Sequence, residues 1–234
     1  MTTATGKPPI ETFFDRNMAE HYDARNANLA IMMQSLHFQV NLILEDLPRN
    51  ARILCIGAGT GAEILTLAGL HPEWHFTAAD PSSPMLDKCR KRIAEAGLSD
   101  RCDLVDGYVQ DVTAAPEFDA ILSLMVAHFI PREDRAPYYS NIIERLKPGG
   151  MLVSSEISFD PDAPDFPLLL KNWTQIQKLM GGSPESLEKL PYMLRNVLSI
   201  ETPEVTEGFM RSAGFDLPIR FFQNFFIRAW YAAK

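Results

Sequence analysis

Short apolar runs alternate with amphipathic stretches through the middle of this chain. Runs of strand type lie near 52–56, 74–79, 102–106, 118–124 and 151–157. Helical spacing of apolar positions falls between them, near 60–70, 83–97 and 134–146, with a short turn after Asp111. Strands alternating with helical segments predict a mostly parallel sheet covered on both faces. Before the first strand, residues 10–47 read as helical. Phe13, Phe14, Met18, His21 and Tyr22 form one stripe, and Leu29 to Leu47 form a longer one that Pro48 stops. Lys147-Pro148-Gly149-Gly150 reads as a helix stop and turn directly before the fifth strand.

Beyond the fifth strand the pattern changes. Residues 160–197 are helical, punctuated by prolines, and carry Trp173 as an aromatic expected to be exposed. The stretch is too long for a connector, which predicts a lid inserted after strand 5. Its apolar positions, Phe166, Leu168, Leu169, Leu170, Trp173, Ile176 and Met180, are expected to meet Met32, Met33, Leu36 and Phe38 of the N-terminal helices. Pro203 to Ala213 then reads as a helix, turned by Gly214-Phe215 into Ile219–Phe226 and Phe225–Ala233. Two late strands so tightly joined imply an antiparallel hairpin at the sheet edge. The expected architecture is an α/β, doubly wound, seven-stranded sheet, mostly parallel, with that hairpin at its C-terminal edge. Residues 1–50 form a helical cap and 51–234 the main domain.

The first turn carries the most chemistry. In Arg52-Ile53-Leu54-Cys55-Ile56-Gly57-Ala58-Gly59-Thr60-Gly61-Ala62-Glu63, a strand breaks into three alternate glycines and resumes as a helix. Glycine permits the positive φ of a sharp turn and close approach of backbone to a ligand, while the following helix points unpaired N–H groups at the crevice. Asp80 ends the second strand, where an acid can accept both hydroxyls of a ribose. Two cofactor types fit this unit. Gly57-x-Gly59-x-x-Ala62 satisfies a dinucleotide fingerprint, and Gly57-x-Gly59-x-Gly61 resembles the first motif of the class I S-adenosylmethionine methyltransferases; a nicotinamide dehydrogenase would normally continue strand–helix–strand instead of ending in a hairpin.

Composition narrows the partners. At 46% apolar residues the chain can bury a core, yet no run approaches the roughly 18 residues of a membrane span. Met1 to Pro9 is polar, lacks a signal-peptide core and is expected to be a frayed tail. A net charge of −8 argues against a bare electrostatic grip on nucleic acid. The one basic run, Lys88-Cys89-Arg90-Lys91-Arg92, reads as a solvated helix face. Three cysteines, Cys55, Cys89 and Cys102, and five scattered histidines show no metal spacing. They suit a reducing cytoplasm and no metal is expected.

Several further segments resemble the class I S-adenosylmethionine-dependent methyltransferases. These are Asp106-Gly107-Tyr108-Val109-Gln110-Asp111 after the third strand, Phe118-Asp119-Ala120-Ile121-Leu122 as the fourth, and Leu146-Lys147-Pro148-Gly149-Gly150 before the fifth. More narrowly, Asp80-Pro81-Ser82-Ser83-Pro84-Met85, His128-Phe129-Ile130-Pro131, Met193-Leu194-Arg195-Asn196-Val197 and Phe222-Gln223-Asn224-Phe225 are similar to the carboxy-S-adenosylmethionine synthases of tRNA wobble-uridine modification. That subgroup grips the extra carboxylate with an arginine two positions before Met-Leu-x-Asn-Val, where this chain has Pro191; Arg195, at a different place on the lid, is the candidate substitute.

The resemblance implies a Rossmann-like fold, S-adenosylmethionine as cofactor, and a site built from Gly57, Ala58, Gly59, Asp80, Pro81, Met85, Tyr108 and Val109. Gln110 or Asp111 would assist at the adenine, while Ser123, Leu124 and Met125 would line the methionine arm. Tyr22 either closes over the cofactor or staples helix to sheet. His128 either takes a substrate proton or packs. The implied activity is methyl transfer to a small, largely apolar acceptor, within a homodimer and without membrane or nucleic-acid partners. The alternatives are a synthase of modified S-adenosylmethionine, a non-catalytic cofactor-binding regulator and, more distantly, a nicotinamide oxidoreductase. Calorimetry checks the first step: S-adenosylmethionine or its demethylated product is expected to bind and NAD is not, and NAD binding alone would overturn the assignment.

Overall fold

The computed structural model describes residues 12–113, 115 and 117–234. The expected tail, Met1 to Pro9, and the start of the N-terminal helical stretch at Ile10 lie outside the described residues. Helix α1 (Arg16–Asn26) leads through a short 3₁₀ turn into α2 (Ala30–Ile43). Then come β1 (Arg52–Ile56), α3 (Ala62–Leu70), β2 (His75–Asp80), α4 (Ser83–Glu95), β3 (Cys102–Asp106), β4 (Phe118–Leu124), α5 (Arg132–Arg145) and β5 (Leu146–Ile157). Helices α6 (Phe166–Leu179), α7 (Pro184–Asn196) and α8 (Pro203–Ala213) precede β6 (Ile219–Asn224) and β7 (Ile227–Ala233).

The strands form one sheet in the order β3-β2-β1-β4-β5-β7-β6. The first five pair in parallel, and β7 runs antiparallel to both β5 and β6. The order reverses between β1 and β4, which places a crevice above the carboxyl ends of those two strands. Side-chain alternation divides the core. Ile53 and Cys55 of β1 face α2, α3, α4 and α6, whereas Leu54 and Ile56 face α5 and α8. Each fully buried aliphatic side chain contributes about 1.5–3 kcal/mol, so this two-sided burial fixes the register of the central strand.

Local chemistry sets the element ends. The Ser82 hydroxyl accepts the Met85 N–H at 3.3 Å to open α4, Thr202 does the same for α8, and Gly214 closes α8 at φ 109°. The expected turn at residues 147–150 is absorbed into an early β5 that pairs Leu146 with Phe118 before a register shift. Helix α2 stops at Ile43, short of Pro48, because the backbone there tightens into a turn through Leu47.

The segment 160–197 holds α6 and α7, as its periodicity implies, but Trp173 is 5% exposed and not at the surface. It lies with Phe166 and Ile176 on the inner stripe of α6, its ring 5.6 Å from Phe226. Leu29, Met32 and Met33 pack on the same core as Leu169, Leu170 and Met180, and Asn28 donates to the Leu179 carbonyl at 2.8 Å. Phe38 departs from expectation: it stands 63% exposed, because Leu36, His37 and Val40 take the inward face of α2. In the first stripe Phe14, Met18 and Tyr22 turn inward, while Phe13 and His21 stay exposed. Among the described residues no helix is long and apolar enough to cross a membrane.

Gly61 tests the tightness of the first turn. It sits at φ 76°, and a Cβ there would lie 2.8 Å from the Cys89 sulfur on α4. Gly61→Ala is expected to lower unfolding free energy by about 2 kcal/mol, from left-handed backbone strain together with overpacking, read from the urea midpoint.

Candidate cofactor site

The loop from Gly57 to Gly61 leaves β1 and is held from β2. The N–H groups of Gly57 and Ala58 donate to the Ala79 carbonyl at 2.8 and 3.2 Å, and the Gly59 N–H donates to the Asp80 carboxylate at 2.8 Å. The other Asp80 oxygen accepts the Ser82 N–H at 2.8 Å. Each carboxylate oxygen has two lone pairs, so two acceptor positions remain for vicinal hydroxyls. Burial pushes the Asp80 pKa up, opposed by these two N–H bonds. A Cβ on Gly57 would lie 2.6 Å from Val126 of the loop after β4, so the glycine turn and that loop meet directly.

The remaining sequence-predicted positions gather around this turn. Pro81 follows Asp80, and Met85 is buried on α4, its methyl 3.5 Å from where a Gly59 Cβ would stand. Tyr108 is 40% exposed and Val109 is buried beside it in a 3₁₀ turn that closes through the Tyr108 N–H to Asp111 at 2.8 Å. That bond occupies one Asp111 oxygen. Leu124 and Met125 form the tip of β4. Met125 adopts φ 61°, unusual outside glycine, and its N–H donates to the Ser155 carbonyl at 2.7 Å. The Ser123 hydroxyl pairs with the Tyr138 hydroxyl at 2.6 Å on the α5 side, away from the methionine arm the sequence assigned it.

Tyr22 is brought to the site by α1. Burial first, then the carboxylates of Glu63, Asp23 and Asp80, push its phenol up to about 12. His128 is fully buried, and its Nδ1 accepts the Ile157 N–H at 3.3 Å. Burial, helped by the Arg135 guanidinium, brings its pKa down to about 3. The ring is therefore neutral at pH 7 and wedged between the loop after β4 and the end of β5. Arg195 donates to the Pro161 carbonyl at 2.8 Å and stacks over Phe166 at 4.8 Å. Its guanidinium is engaged within the 160–197 segment.

Sequence reasoning missed two groups. Arg92, read as part of a solvated face, donates to the Thr60 carbonyl and hydroxyl at 2.9 and 2.8 Å; the Thr60 hydroxyl donates in turn to Asp23 at 2.8 Å. This links α4, the glycine turn and α1, and the Ser82 hydroxyl adds a bond to the Phe14 carbonyl at 2.6 Å. The helical spacing of Met85, Cys89 and Arg92 was the available signal. The second is Glu63, in the first turn of α3. Burial, then the Asp80 charge, raises its pKa from 4.5 to about 7 against the opposing pull of its own N–H and Arg92. Among the described residues no group of His, Cys, Asp and Glu is arranged to hold a metal ion.

Two outcomes follow from this geometry. Asp80→Ala is expected to weaken nucleoside-cofactor binding by about 1.5–3 kcal/mol, the worth of hydrogen bonds to a charged group, as read by calorimetry. For Glu63, the folded chain keeps between pH 4.5 and about 7 a proton that the unfolded chain has released. Stability therefore falls as pH rises through that window, and Glu63→Gln flattens the fall in urea midpoints measured on both sides of it.

Comparison with known proteins bears on the fold. A methyltransferase-domain family matches residues 53–150, from β1 to the start of β5. The chain is 29% identical over 175 residues to a carboxy-S-adenosyl-L-methionine synthase of Chromohalobacter salexigens, covering 74% of this chain and 64% of that protein. It is 27% identical to the Klebsiella pneumoniae enzyme of the same name, over 79% of this chain and 75% of the relative. In structure it resembles a putative O-methyltransferase from Nostoc punctiforme, with TM-score 0.67 and 15% identity over 94% of this chain and 59% of the other. It also resembles the Haemonchus contortus phosphoethanolamine N-methyltransferase 2 in complex with S-adenosyl-L-methionine, with TM-score 0.64 and 16% identity over 98% and 60%. At those identities the structural likeness speaks for the fold. The family match thus covers residues 53–150, and over most of its length the chain has the fold of these methyltransferase structures.

Proposed function

We propose that the chain transfers a methyl group from S-adenosylmethionine to a small, largely apolar acceptor held beneath α6 and α7. The observation that carries this reading is the joined unit of glycine turn and Asp80, in which a buried carboxylate keeps two acceptor positions beside a close-approach backbone. Glu63 separates the two cofactor types. It lies in the first turn of α3, the place where a dinucleotide's pyrophosphate would sit. An acid there opposes a phosphate and favours a ligand whose charge is positive.

Gly57, Gly59, Asp80, Met85, Tyr108 and Val109 would hold the nucleoside, with Tyr22 closing from α1 and Leu124 and Met125 above the reacting end. Bound there, S-adenosylmethionine supplies an already activated methyl group. What remains for the protein is alignment and exclusion of water, and good alignment is worth roughly 7–11 kcal/mol. The neutral His128 is held by Ile157 and contributes by shaping the loop. Under α6 a cavity of about 200 Å³ is lined by Phe159, Phe166, Leu169 and Phe226 together with the charged Asp160, Asp165, Glu204, Arg220 and Arg228. We also take 160–197 as a lid over the main domain and the cytoplasm as the compartment, for which three free, buried cysteines speak. A homodimer is supported by the exposed apolar Ile31, Phe38 and Leu42 on α2.

The names of the curated relatives favour a second reading, synthesis of a carboxylated cofactor. Pro191 stands against it, because the arginine of that subgroup is absent and Arg195 is engaged with Pro161 and Phe166. Competition binding decides between them. S-adenosylmethionine and its carboxylated form are expected to bind within tenfold of each other. A preference for the carboxylated form beyond tenfold, about 1.4 kcal/mol, would establish the synthase reading.

A further inference from the structure

Arg135 and Glu156 form an ion pair with no solvent exposure at either side chain, 2.8 Å apart, on α5 and β5. The guanidinium reaches further. Its Nε donates to the Ile130 carbonyl at 3.2 Å, at the end of the loop after β4, and one terminal nitrogen donates to the Ser199 carbonyl at 2.6 Å, just past α7. Glu156 accepts the Thr206 hydroxyl of α8 at 2.6 Å. The two tethered segments also touch each other, since the Ser199 N–H donates to the His128 carbonyl at 2.8 Å.

The loop that Arg135 holds is the wall of the candidate site. Val126 meets Gly57, Met125 is drawn to Ser155, and the Phe129 ring packs 5.5 Å from Phe14 at the entry to α1. Ser199 is the exit of the segment that carries α6 and α7. We propose that Arg135 is a positioning residue: its planar fork fixes the exit of the α6–α7 segment to the loop after β4, so that the lid and the reacting side of the site keep one register. This rests on the methyl-transfer reading for its purpose, while the coupling itself is a property of the chain alone.

A planar fork can satisfy one carboxylate and two carbonyls at once, which an ammonium on a flexible stem does not. A buried ion pair by itself is a poor source of stability. Replacement by apolar groups of similar volume is often neutral or stabilising, which separates positioning from mere support. In the full chain without ligand, the triple variant Arg135→Met, Glu156→Leu, Thr206→Val is expected to melt at or above wild type. Hydrogen exchange at the Ser199 amide should nevertheless rise at least tenfold relative to Leu122 in β4. Arg135→Lys, which keeps the charge, should show the same local rise, and it decides the matter if the triple variant does not fold. Wild-type exchange at Ser199 in Arg135→Lys, or in a folded triple variant, would overturn the proposal. Calorimetry of the wild type with S-adenosylhomocysteine, run beside it, tests separately the cofactor binding on which the methyl-transfer reading depends.

Discussion

The bond from the Gly59 N–H to the Asp80 carboxylate is where this site is decided, because each partner is costly without the other. Gly57, Gly59 and Gly61 all adopt positive φ, at 61°, 55° and 76°, and a turn of three such residues loses more conformational entropy on folding than any other. Asp80 carries the complementary cost, since a carboxylate removed from water must be hydrogen-bonded. Joined, the two offset each other. The acid accepts two N–H groups, and the turn gains a fixed point on β2 in addition to the Ala79 carbonyl. The Ser82 cap, the start of α4 and the entry of the chain at Phe14 are all placed from that acid.

Around this point the molecule stacks successive layers of closure. Arg92 spans from α4 to Thr60, Thr60 passes the bond to Asp23, and α1 is thereby drawn onto the turn with Tyr22 facing Asp80 and Glu63. From the opposite side, the loop after β4 presses Val126 on Gly57 and is itself tied to β5 through Ile157. Close packing at both edges explains why side-chain-free positions recur here: Gly57 and Gly61 each face an atom within 2.8 Å of where a Cβ would lie. The crevice is narrow by construction.

Much of this was legible in the residues. Strand and helix placement followed from periodicities of two and 3.6, and the three glycines with Asp80 located the crevice, because such features depend on a few neighbouring residues. What failed depended on packing between distant elements. Trp173 looked exposed beside prolines, yet the amphipathic stripe of α6 required it inside against Phe226, some fifty residues later. Phe38 looked like a partner for the lid, but α2 rolls so that Leu36 and Val40 face the sheet. Arg92 was hidden in a basic run, since nothing local distinguishes a solvated arginine from one that reaches Thr60, 32 positions earlier. The Ser123 hydroxyl turned away for the same reason, Tyr138 being visible only once α5 packs.

The electrostatics of the finished site carry the argument to its ligand. Asp80 and Glu63 share a space with the Tyr22 hydroxyl, and the nearest cation, Arg92, spends its donors on Thr60. Both carboxyls have their pKa values raised, in each case chiefly by burial. At neutral pH Glu63 stands near half ionisation, so a cation placed beside it would draw its proton off and be held more tightly as pH rises. A diphosphate would meet the reverse, repulsion from two acids, one of them in the first turn of α3. Sulfonium and ammonium groups are positive; a nicotinamide dinucleotide brings its negative charge to the first turn of α3. The same two acids therefore favour a positively charged cofactor over a diphosphate.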